Sequence, residues 1–175
     1  MRAVVRPAEL EDLDALTLLA AVTFPLACPP GSTVQDQQEF IATVLSVDRF
    51  AQYLADPDRD VLVADDGMLV GYTMLVAGEP TDADVRAALQ VHPTIELSKC
   101  YVHPDHHGAG VAHALMTASL QAAREREAQG MWLGVNQQNA RARAFYVRSG
   151  FAVVGTKHFT VGARVEDDYV LERSL

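Results

Sequence analysis

The sequence of 175 residues contains little cysteine and has fewer positive than negative charges. Its two cysteines, Cys28 and Cys100, are too few for a disulfide framework, which favours a reducing, cytoplasmic environment. Fourteen lysines and arginines stand against 23 aspartates and glutamates, so the formal net charge is −9. That charge disfavours a general nucleic-acid surface and favours cationic partners.

Long apolar runs are also missing. No stretch approaches the roughly 20 apolar residues that a membrane-spanning helix needs, so no membrane association is expected. Residues 1–14 indicate a strand followed by an acidic segment rather than a signal peptide, which again favours the cytoplasm. With 49% hydrophobic residues and no repeat, low-complexity tract or linker, the sequence predicts one α/β domain over residues 1–175.

Helix and strand patterns follow one another along the whole chain. The first half predicts a strand at 2–6, a helix at 8–27, one or two helices at 34–55 with a break near 46–48, a hairpin at 61–64 and 68–77, and a partly helical insert at 78–93. The second half predicts a strand at 94–102, a helix at 111–128, a strand at 131–136, a helix at 139–150, and a second hairpin at 151–159 and 165–172.

The loop from His107 to Ala112 joins a predicted strand to a predicted helix and is rich in small residues. Gly108 and Gly110 lack Cβ atoms, so their backbone can turn freely and approach a ligand closely. The first N–H groups of the following helix have no intrahelical partner and point at whatever lies in front of them. Together these features suit the binding of a pyrophosphate.

The order of elements and several motifs resemble the GNAT N-acetyltransferase superfamily. That pattern has a strand, a Gln/Arg-x-x-Gly-x-Gly/Ala motif that opens a helix, another strand, and a helix with Asn, Ala, Phe-Tyr and Gly-Phe. The matching residues here are Gly110, Ala112, Asn139, Ala142, Phe145-Tyr146 and Gly150-Phe151. His107 departs from the pattern, because it stands where the family usually has Gln or Arg.

The resemblance implies both a fold and a donor substrate. The fold is a single α/β (α+β) GNAT domain, in which a twisted, mixed but mostly antiparallel sheet of six to seven strands is flanked by about four helices. The strands at 94–102 and 131–136 are expected to splay apart, so that the pantetheine arm of acetyl-CoA can insert between them. The residues that the resemblance assigns to acetyl-CoA are Cys100, Tyr101, Val102, His107, Gly108, Ala109, Gly110, Val111, Ala112, His113, Asn136, Asn139 and Tyr146.

The resemblance also implies direct acetyl transfer within a ternary complex, with Tyr146 as the general acid that protonates the departing sulfur. Tyr146 lies two helical turns beyond Asn139 and therefore on the same helix face. The alternative for Tyr146 is a core aromatic whose hydroxyl bonds to a backbone carbonyl. For Asn139 the alternative is a helix cap, and one residue can serve both purposes.

Glu96 is the candidate general base, because it precedes His107 by eleven residues, a spacing that resembles the histone-acetylating branch of the superfamily. A carboxylate beside the acetyl group could accept the proton directly or through water. The alternatives are an acceptor-anchoring or solvent-facing carboxylate, with ordered water as the base. Strand alternation predicts that Glu96, Ser98 and Cys100 share one face and that Tyr101 lies on the other.

Neither a metal site nor a cysteine nucleophile is expected. His103, His106, His107 and His113 are clustered as zinc ligands can be, but they overlap the predicted pyrophosphate site, so no metal is expected. Cys100 is not expected to act as a nucleophile, because the sequence places no His or Asp partner beside it and cysteine is often buried.

The acceptor is predicted to be a small-molecule amine, with a polyamine as the leading hypothesis. Residues 132–135, 144–146, 159–162 and Asp168 resemble the bacterial spermidine/spermine acetyltransferase branch. Glu96, Glu166, Asp167 and Asp168 could form an acidic pocket, or 166–168 could be a solvated hairpin tip. A protein N-terminal amine and a non-catalytic acetyl-CoA sensor remain alternatives, and the resemblance allows a homodimer.

Overall fold

The computed structural model describes residues 2–175, which contain one seven-stranded sheet and six α-helices. The elements in chain order are β1 (Val4–Pro7), α1 (Leu13–Ala27), α2 (Val34–Val44), α3 (Val47–Ala55), β2 (Arg59–Asp65), β3 (Leu69–Ala77), α4 (Ala83–Ala88), β4 (Thr94–Val102), α5 (Val111–Glu125), β5 (Gly130–Asn136), α6 (Ala140–Arg148), β6 (Ala152–Val161) and β7 (Arg164–Ser174). No helix among these residues is long and apolar enough to cross a membrane.

The sheet has the order β1-β2-β3-β4-β5-β7-β6. Five of its neighbouring pairs are antiparallel, and β4 with β5 is parallel, which confirms the predicted mixed but mostly antiparallel sheet. The described residues of β4 and β5 pair only where Thr94–Glu96 faces Gly130–Trp132. Beyond that point the two strands diverge, which is the splay that was predicted.

The helices are more numerous than the four or so that were expected. The predicted break near residue 46 is confirmed, because the Ser46 hydroxyl accepts a hydrogen bond from the backbone N–H of Arg49 and caps α3. Thr33 caps α2 by the same kind of bond, and Asp82 caps the short α4 inside the insert. Each cap starts a separate helix where the sequence pattern alone suggested a longer or less definite one.

The two faces of the sheet are covered by different helices. On one face, α5 packs against β2, β3 and β4, and the buried hydroxyls of Thr73 and Ser119 are 2.9 Å apart. On the other face, α1 and α3 bury a cluster that includes Leu16, Phe50 and Tyr72. Where β4 and β5 diverge, a gap opens in the sheet between them.

A β-bulge at Ser98 changes the direction of the side chains in the second half of β4. Leu97 pairs with Leu75 and Lys99 pairs with Met74, so Ser98 is an extra residue on β4. The prediction that Glu96 and Cys100 share a face is therefore wrong. Cys100 packs against the same cluster as Leu97, and Tyr101 packs into the cluster under α1 and α3.

The β6–β7 hairpin turns at Gly162 and Ala163, not at residues 166–168. Gly162 has a φ of 59°, in the left-handed region that favours glycine. The Arg164 guanidinium donates to the Gly31 carbonyl, and the Ala163 N–H donates to Asp36 at 3.4 Å. The tip of the hairpin is thereby fixed to the segment between α1 and α2.

Glu172 on β7 fixes the loop that leads into β4, and its removal should destabilise the fold. Its carboxylate accepts hydrogen bonds from the backbone N–H groups of Gln90 at 3.0 Å and Val91 at 3.0 Å, and it is 7% exposed. We expect Glu172→Ala to lower the free energy of unfolding by roughly 2–3 kcal/mol, because both donors lose a charged partner. Urea denaturation measures the change, and exposed Glu39→Ala is the control. Equal stabilities for the two variants would contradict this role.

Candidate functional site

Two cavities meet at the divergence of β4 and β5. The first, which we call the donor groove, has a volume of about 650 Å³ and lies between the β4–α5 loop and α6. The second, the acceptor cavity, has a volume of about 350 Å³ and extends under α1, α2 and the β6–β7 hairpin. Residues lining both are Ala27, Cys100, Tyr101, Asn139, Ala142 and Tyr146. A ligand in one cavity can therefore contact a ligand in the other.

The β4–α5 loop forms one end of the donor groove. Gly108 and Gly110 have φ values of 80° and 81°, which L side chains rarely adopt, and a Cβ at either position would meet no atom within 4 Å. Gly110 is the N-cap of α5, so the free N–H groups of that helix open toward the groove. An anion can occupy this space in contact with backbone donors.

Most residues predicted to contact the donor line this groove. Those that do are Cys100, Tyr101, Val102, His107, Gly108, Gly110, Ala112, His113, Asn139 and Tyr146. Ala109 does not line it, and Val111 is 5% exposed with its side chain in the core, so only the backbone of Val111 is available to a ligand. Asn136 lines the acceptor cavity instead.

The clustered histidines have separate partners. His106 Nε2 is 3.1 Å from Asp66 Oδ2, and His107 Nε2 donates to the Val102 carbonyl at 2.8 Å. His103 Nδ1 accepts a hydrogen bond from the backbone N–H of Asp105 at 3.2 Å. Among residues 2–175 no group of three or more His, Cys, Asp or Glu side chains is arranged to hold a metal ion.

Two arginines in the donor groove were missed by sequence reasoning. Arg141 and Arg148 lie on α6 and both line the groove opposite the glycine loop. They are seven residues apart, which places them on one face of the helix two turns from each other. The seven-residue spacing could have indicated from the sequence that both arginines share a helix face. It places two positive charges beside the space suited to an anion.

Tyr146 and Cys100 face each other at the junction of the cavities. Tyr146 is 9% exposed, and burial raises its pKa well above the ordinary value, so its hydroxyl stays protonated. Burial also raises the pKa of Cys100 to about 12, which a hydrogen bond with Tyr146 offsets only in part. Cys100 is therefore a neutral thiol at neutral pH and not an activated nucleophile.

The two asparagines have local partners as well as positions in the site. Asn139 caps α6, since its Oδ1 accepts a hydrogen bond from the Ala142 N–H at 3.2 Å, and it also lines both cavities. Asn136 ends β5, and its Oδ1 accepts from the Gln138 N–H at 2.9 Å. The helix-cap interpretation of Asn139 thus agrees with the geometry and leaves its amide NH₂ available to a ligand.

Three carboxylates line the acceptor cavity, namely those of Glu96, Glu166 and Asp168. Glu166 and Asp168 are 7% and 4% exposed, whereas Asp167 between them is exposed and 3.1 Å from His158. Strand alternation accounts for this difference. The hypothesis that residues 166–168 are a solvated tip is wrong for Glu166 and Asp168.

Lys99 and Lys157 also line the acceptor cavity, so it contains side chains of both charge signs. Burial lowers the pKa of Lys99 to about 8, and nearby Glu96 opposes that change. Burial raises the pKa of Glu96, while Lys157, Lys99 and Arg59 lower it in part. Burial raises the pKa of Asp168 to about 6, with Lys157 acting in the opposite direction.

Three aromatic rings also line the acceptor cavity. Phe24 and Phe40 are stacked with ring centroids 4.3 Å apart, and the ring centroids of Phe40 and Phe159 are 5.6 Å apart. These rings come from α1, α2 and β6. The lining of the cavity therefore combines carboxylates with aromatic rings, a combination suited to organic cations.

The model for the acetyltransferase (GNAT) family matches residues 26–151. This chain belongs to the GNAT acetyltransferase family. An uncharacterised N-acetyltransferase of Mycobacterium tuberculosis is 45% identical over 167 residues, covering 95% of this GNAT chain and 99% of that relative. Streptothricin acetyltransferase of Streptomyces lavendulae is 37% identical over 101 residues, covering 58% of this chain and 48% of that relative.

Solved GNAT structures have the same fold over the whole chain. The PaiA N-acetyltransferase of Thermoplasma acidophilum, in complex with coenzyme A, is 18% identical with a TM-score of 0.78, covering 100% of both chains. YncA of Salmonella typhimurium, with its cofactor acetyl-CoA, is 25% identical with a TM-score of 0.65, covering 100% of this chain and 95% of that one. This GNAT protein is an acetyl-CoA-dependent N-acetyltransferase.

Proposed function

We propose that this N-acetyltransferase acetylates a primary amine of a small cationic acceptor, with polyamines as the leading class. The observation that carries this proposal is that Asp168 Oδ1 is buried in the acceptor cavity without a hydrogen-bond donor. Glu166 Oε1 is also buried there, but it forms an ion pair with Arg164 Nε at 3.2 Å. An ammonium group of the acceptor supplies the donor that Asp168 lacks.

The spacing of the carboxylates supports an acceptor with more than one amine. Glu166 and Asp168 are two residues apart on the same face of β7, so they are separated by about 7 Å. That separation is comparable to the distance between amines joined by three or four methylenes. Glu96 adds a third carboxylate to the cavity, and the rings of Phe24, Phe40 and Phe159 provide cation–π contacts.

The roof of the acceptor cavity supports a small molecule over a protein N-terminus. The hairpin tip is fixed to the α1–α2 segment through Arg164 and Ala163, which covers the side from which a peptide would enter an open groove. The sensor alternative requires Tyr146 to point away from the donor or the acceptor space to be blocked. Tyr146 lines both cavities, which supports catalysis instead.

The donor contacts follow from the groove. Backbone N–H groups of the Gly108–Ala112 segment and the N-terminus of α5 would hold the pyrophosphate, with Arg141 and Arg148 opposite. The divergent edges of β4 and β5 have unpaired backbone groups that would bond to the pantetheine arm. Bound acetyl-CoA supplies the reactive thioester, and Cys100, Tyr101 and Tyr146 surround the point where the cavities join.

An alkylammonium must lose two protons to become an amide. The first gives the neutral amine that attacks the thioester, and the second leaves the nitrogen after the attack. Tyr146 is proposed as the acid, because its hydroxyl stays protonated and it lines the junction of the two cavities, where the sulfur of bound acetyl-CoA would lie. Glu96, or an ordered water, remains the base predicted from the sequence. Burial raises the pKa of Glu96, which makes its carboxylate a better proton acceptor.

Removal of the Tyr146 hydroxyl tests the proposed acid. We expect Tyr146→Phe to lower kcat roughly 100-fold, because the CoA thiolate leaves without a proton, while the Kd for acetyl-CoA stays nearly unchanged. Steady-state rates and calorimetric titration measure the two quantities. Tyr169→Phe is the control, since Tyr169 lines neither cavity. Equal turnover by Tyr146→Phe and the unmodified enzyme would remove Tyr146 as the acid.

A glutamate at Gly110 tests the proposed pyrophosphate site. We expect Gly110→Glu to abolish acetyl-CoA binding, since it places bulk and negative charge where the phosphates belong. Gly78→Glu is a matched control, because Gly78 also has a positive φ of 100° and open space around its Cβ but lies outside the groove. Both variants have similar backbone strain. Unaltered acetyl-CoA affinity in Gly110→Glu would exclude this site.

An acceptor panel tests the proposed substrate class. Release of CoA thiol from acetyl-CoA would be measured with spermidine, spermine, N-terminal peptides, aminoglycosides, streptothricin and amino acids, with acetyl-CoA binding followed in parallel. We expect polyamines to give the highest kcat/KM and Glu166→Gln to raise their KM, because a buried anion that binds the ammonium is lost. Highest turnover with N-terminal peptides would favour the protein-directed alternative instead. Binding of acetyl-CoA without turnover of any amine would favour the sensor.

A further inference from the structure

Asp168 lines the acceptor cavity, and its charge acts on Tyr101, one of the residues that line both cavities. On β7 it pairs with Asn136, the last residue of β5, whereas Glu96 pairs with Trp132 at the closed end of the divergence. Asn136 is four residues beyond Trp132, a distance of roughly 13 Å along the strand. Asp168 is therefore beside the open end of the divergence, and Glu96 is at the far end.

The backbone next to Asp168 is shaped to admit its carboxylate into the cavity. Gly134 lies under it on β5, and a Cβ at Gly134 would be 3.2 Å from Asp168 Oδ2 and would collide with Lys157 Cε. Any larger residue would thus displace both charged side chains. Glycine at this position leaves the carboxylate against the strand edge that the donor arm would follow.

Ionisable side chains from β4, α6, β6 and β7 surround Asp168, and one of its carboxylate oxygens has no hydrogen-bond partner. Lys157 on β6 favours its ionised form, while Glu166 and Asp167 on β7 oppose it. Tyr101 on β4 and Tyr146 on α6 line the same cavity and remain protonated. Asp168 Oδ1 is buried without a partner, so it can accept a hydrogen bond from a ligand.

We propose that Asp168 is the catalytic base that takes the proton from the acceptor ammonium; this rests on the proposed function. The ammonium N–H donates to Asp168 Oδ1, and the proton passes to the carboxylate. The neutral nitrogen attacks the acetyl carbonyl carbon, the C–S bond breaks, and Tyr146 gives its proton to the sulfur. The acetylated nitrogen then gives its second proton to the Tyr146 phenolate, which restores the hydroxyl. Asp168 releases its proton to water. Glu96, the base predicted from the sequence, is then not the base and instead binds the distal end of the acceptor.

The acid–base properties of Asp168 agree with this position. Burial raises its pKa to about 6, close to neutral pH, where a general base is both ionised and basic enough to work. As the pH falls through that value the carboxylate becomes protonated and cannot accept a proton. An acceptor amine stays an ammonium throughout this range, since its pKa is roughly 10. The fall in rate at acidic pH therefore reflects protonation of the enzyme and not protonation of the acceptor amine.

The experiment compares pH profiles of kcat/KM, which report pKa values of the free enzyme, for Asp168→Asn, Glu96→Gln and Asp167→Asn with the best amine of the acceptor panel. The unmodified enzyme should rise through about pH 6 and then level off. Asp168→Asn should be at least 100-fold slower at pH 7. Its rate should rise about tenfold per pH unit up to pH 9, because it depends on free amine from solution. Exposed Asp167→Asn should keep the rate at pH 7 and the acidic limb, with the limb displaced slightly toward lower pH because one negative charge near Asp168 is lost.

Two further measurements separate proton transfer from a structural effect. A weakly basic acceptor such as trifluoroethylamine, already neutral at pH 7, should lose less than tenfold on Asp168→Asn. Formate should restore turnover to Asp168→Ala, and acetyl-CoA binding checks that each variant is folded. An unchanged acidic limb in Asp168→Asn, or loss of that limb in Glu96→Gln alone, would overturn the proposal. Absence of CoA release by the unmodified enzyme with every amine would overturn the proposed function itself.

Discussion

The divergence of β4 and β5 is the constraint on which the rest of the site depends. The two strands are parallel neighbours over Thr94–Glu96 and Gly130–Trp132, and each then keeps a partner on its outer side alone, β3 for β4 and β7 for β5. Their inner edges face each other across a gap with backbone groups that no strand satisfies. A bound extended chain, such as the pantetheine arm under the proposed function, would bond to both edges. The donor groove, the junction and the acceptor cavity all open from this gap.

The acceptor cavity concentrates ionisable groups where a protein interior would usually be apolar. Lys99, Glu96, Lys157, Asp168 and Glu166 line it together, and burial shifts Glu96, Asp168 and Lys99 toward their neutral forms. Such an arrangement costs folding free energy, since each charged form loses hydration that its neighbours replace only in part. Its benefit lies in function, because groups with pKa values displaced toward neutrality can exchange protons with a substrate. The alternating charges also limit repulsion between the carboxylates before an acceptor binds.

Local features of the site were predictable from the sequence, whereas features that depend on strand register were not. The positions of the glycine loop, of the Asn139 cap and of successive elements follow from local patterns, and the structure confirms them. The binding of pyrophosphate by the glycine loop stays a prediction. The bulge at Ser98 depends on how β4 pairs with β3, which no local pattern reveals, so the prediction for Cys100 and Tyr101 had the wrong face. The hairpin predicted at 151–159 and 165–172 leaves its turn at 160–164, and the structure confirms this with a turn at Gly162 and Ala163. Placing the turn there puts Glu166 and Asp168 on one strand face, with Asp167 opposite.

The division between donor and acceptor sites follows the division of the chain itself. Residues 100–113 and 139–148 supply most of the donor groove, and they lie within the segment 26–151 that the family model matches. Lys157, Phe159, Glu166 and Asp168 belong to the β6–β7 hairpin, which lies beyond that segment. Under the proposed function, the segment matched by the family model would present the thioester, while the hairpin and the helices facing it would select the amine. If the base also lies on that hairpin, one structural unit both selects the acceptor and removes its proton.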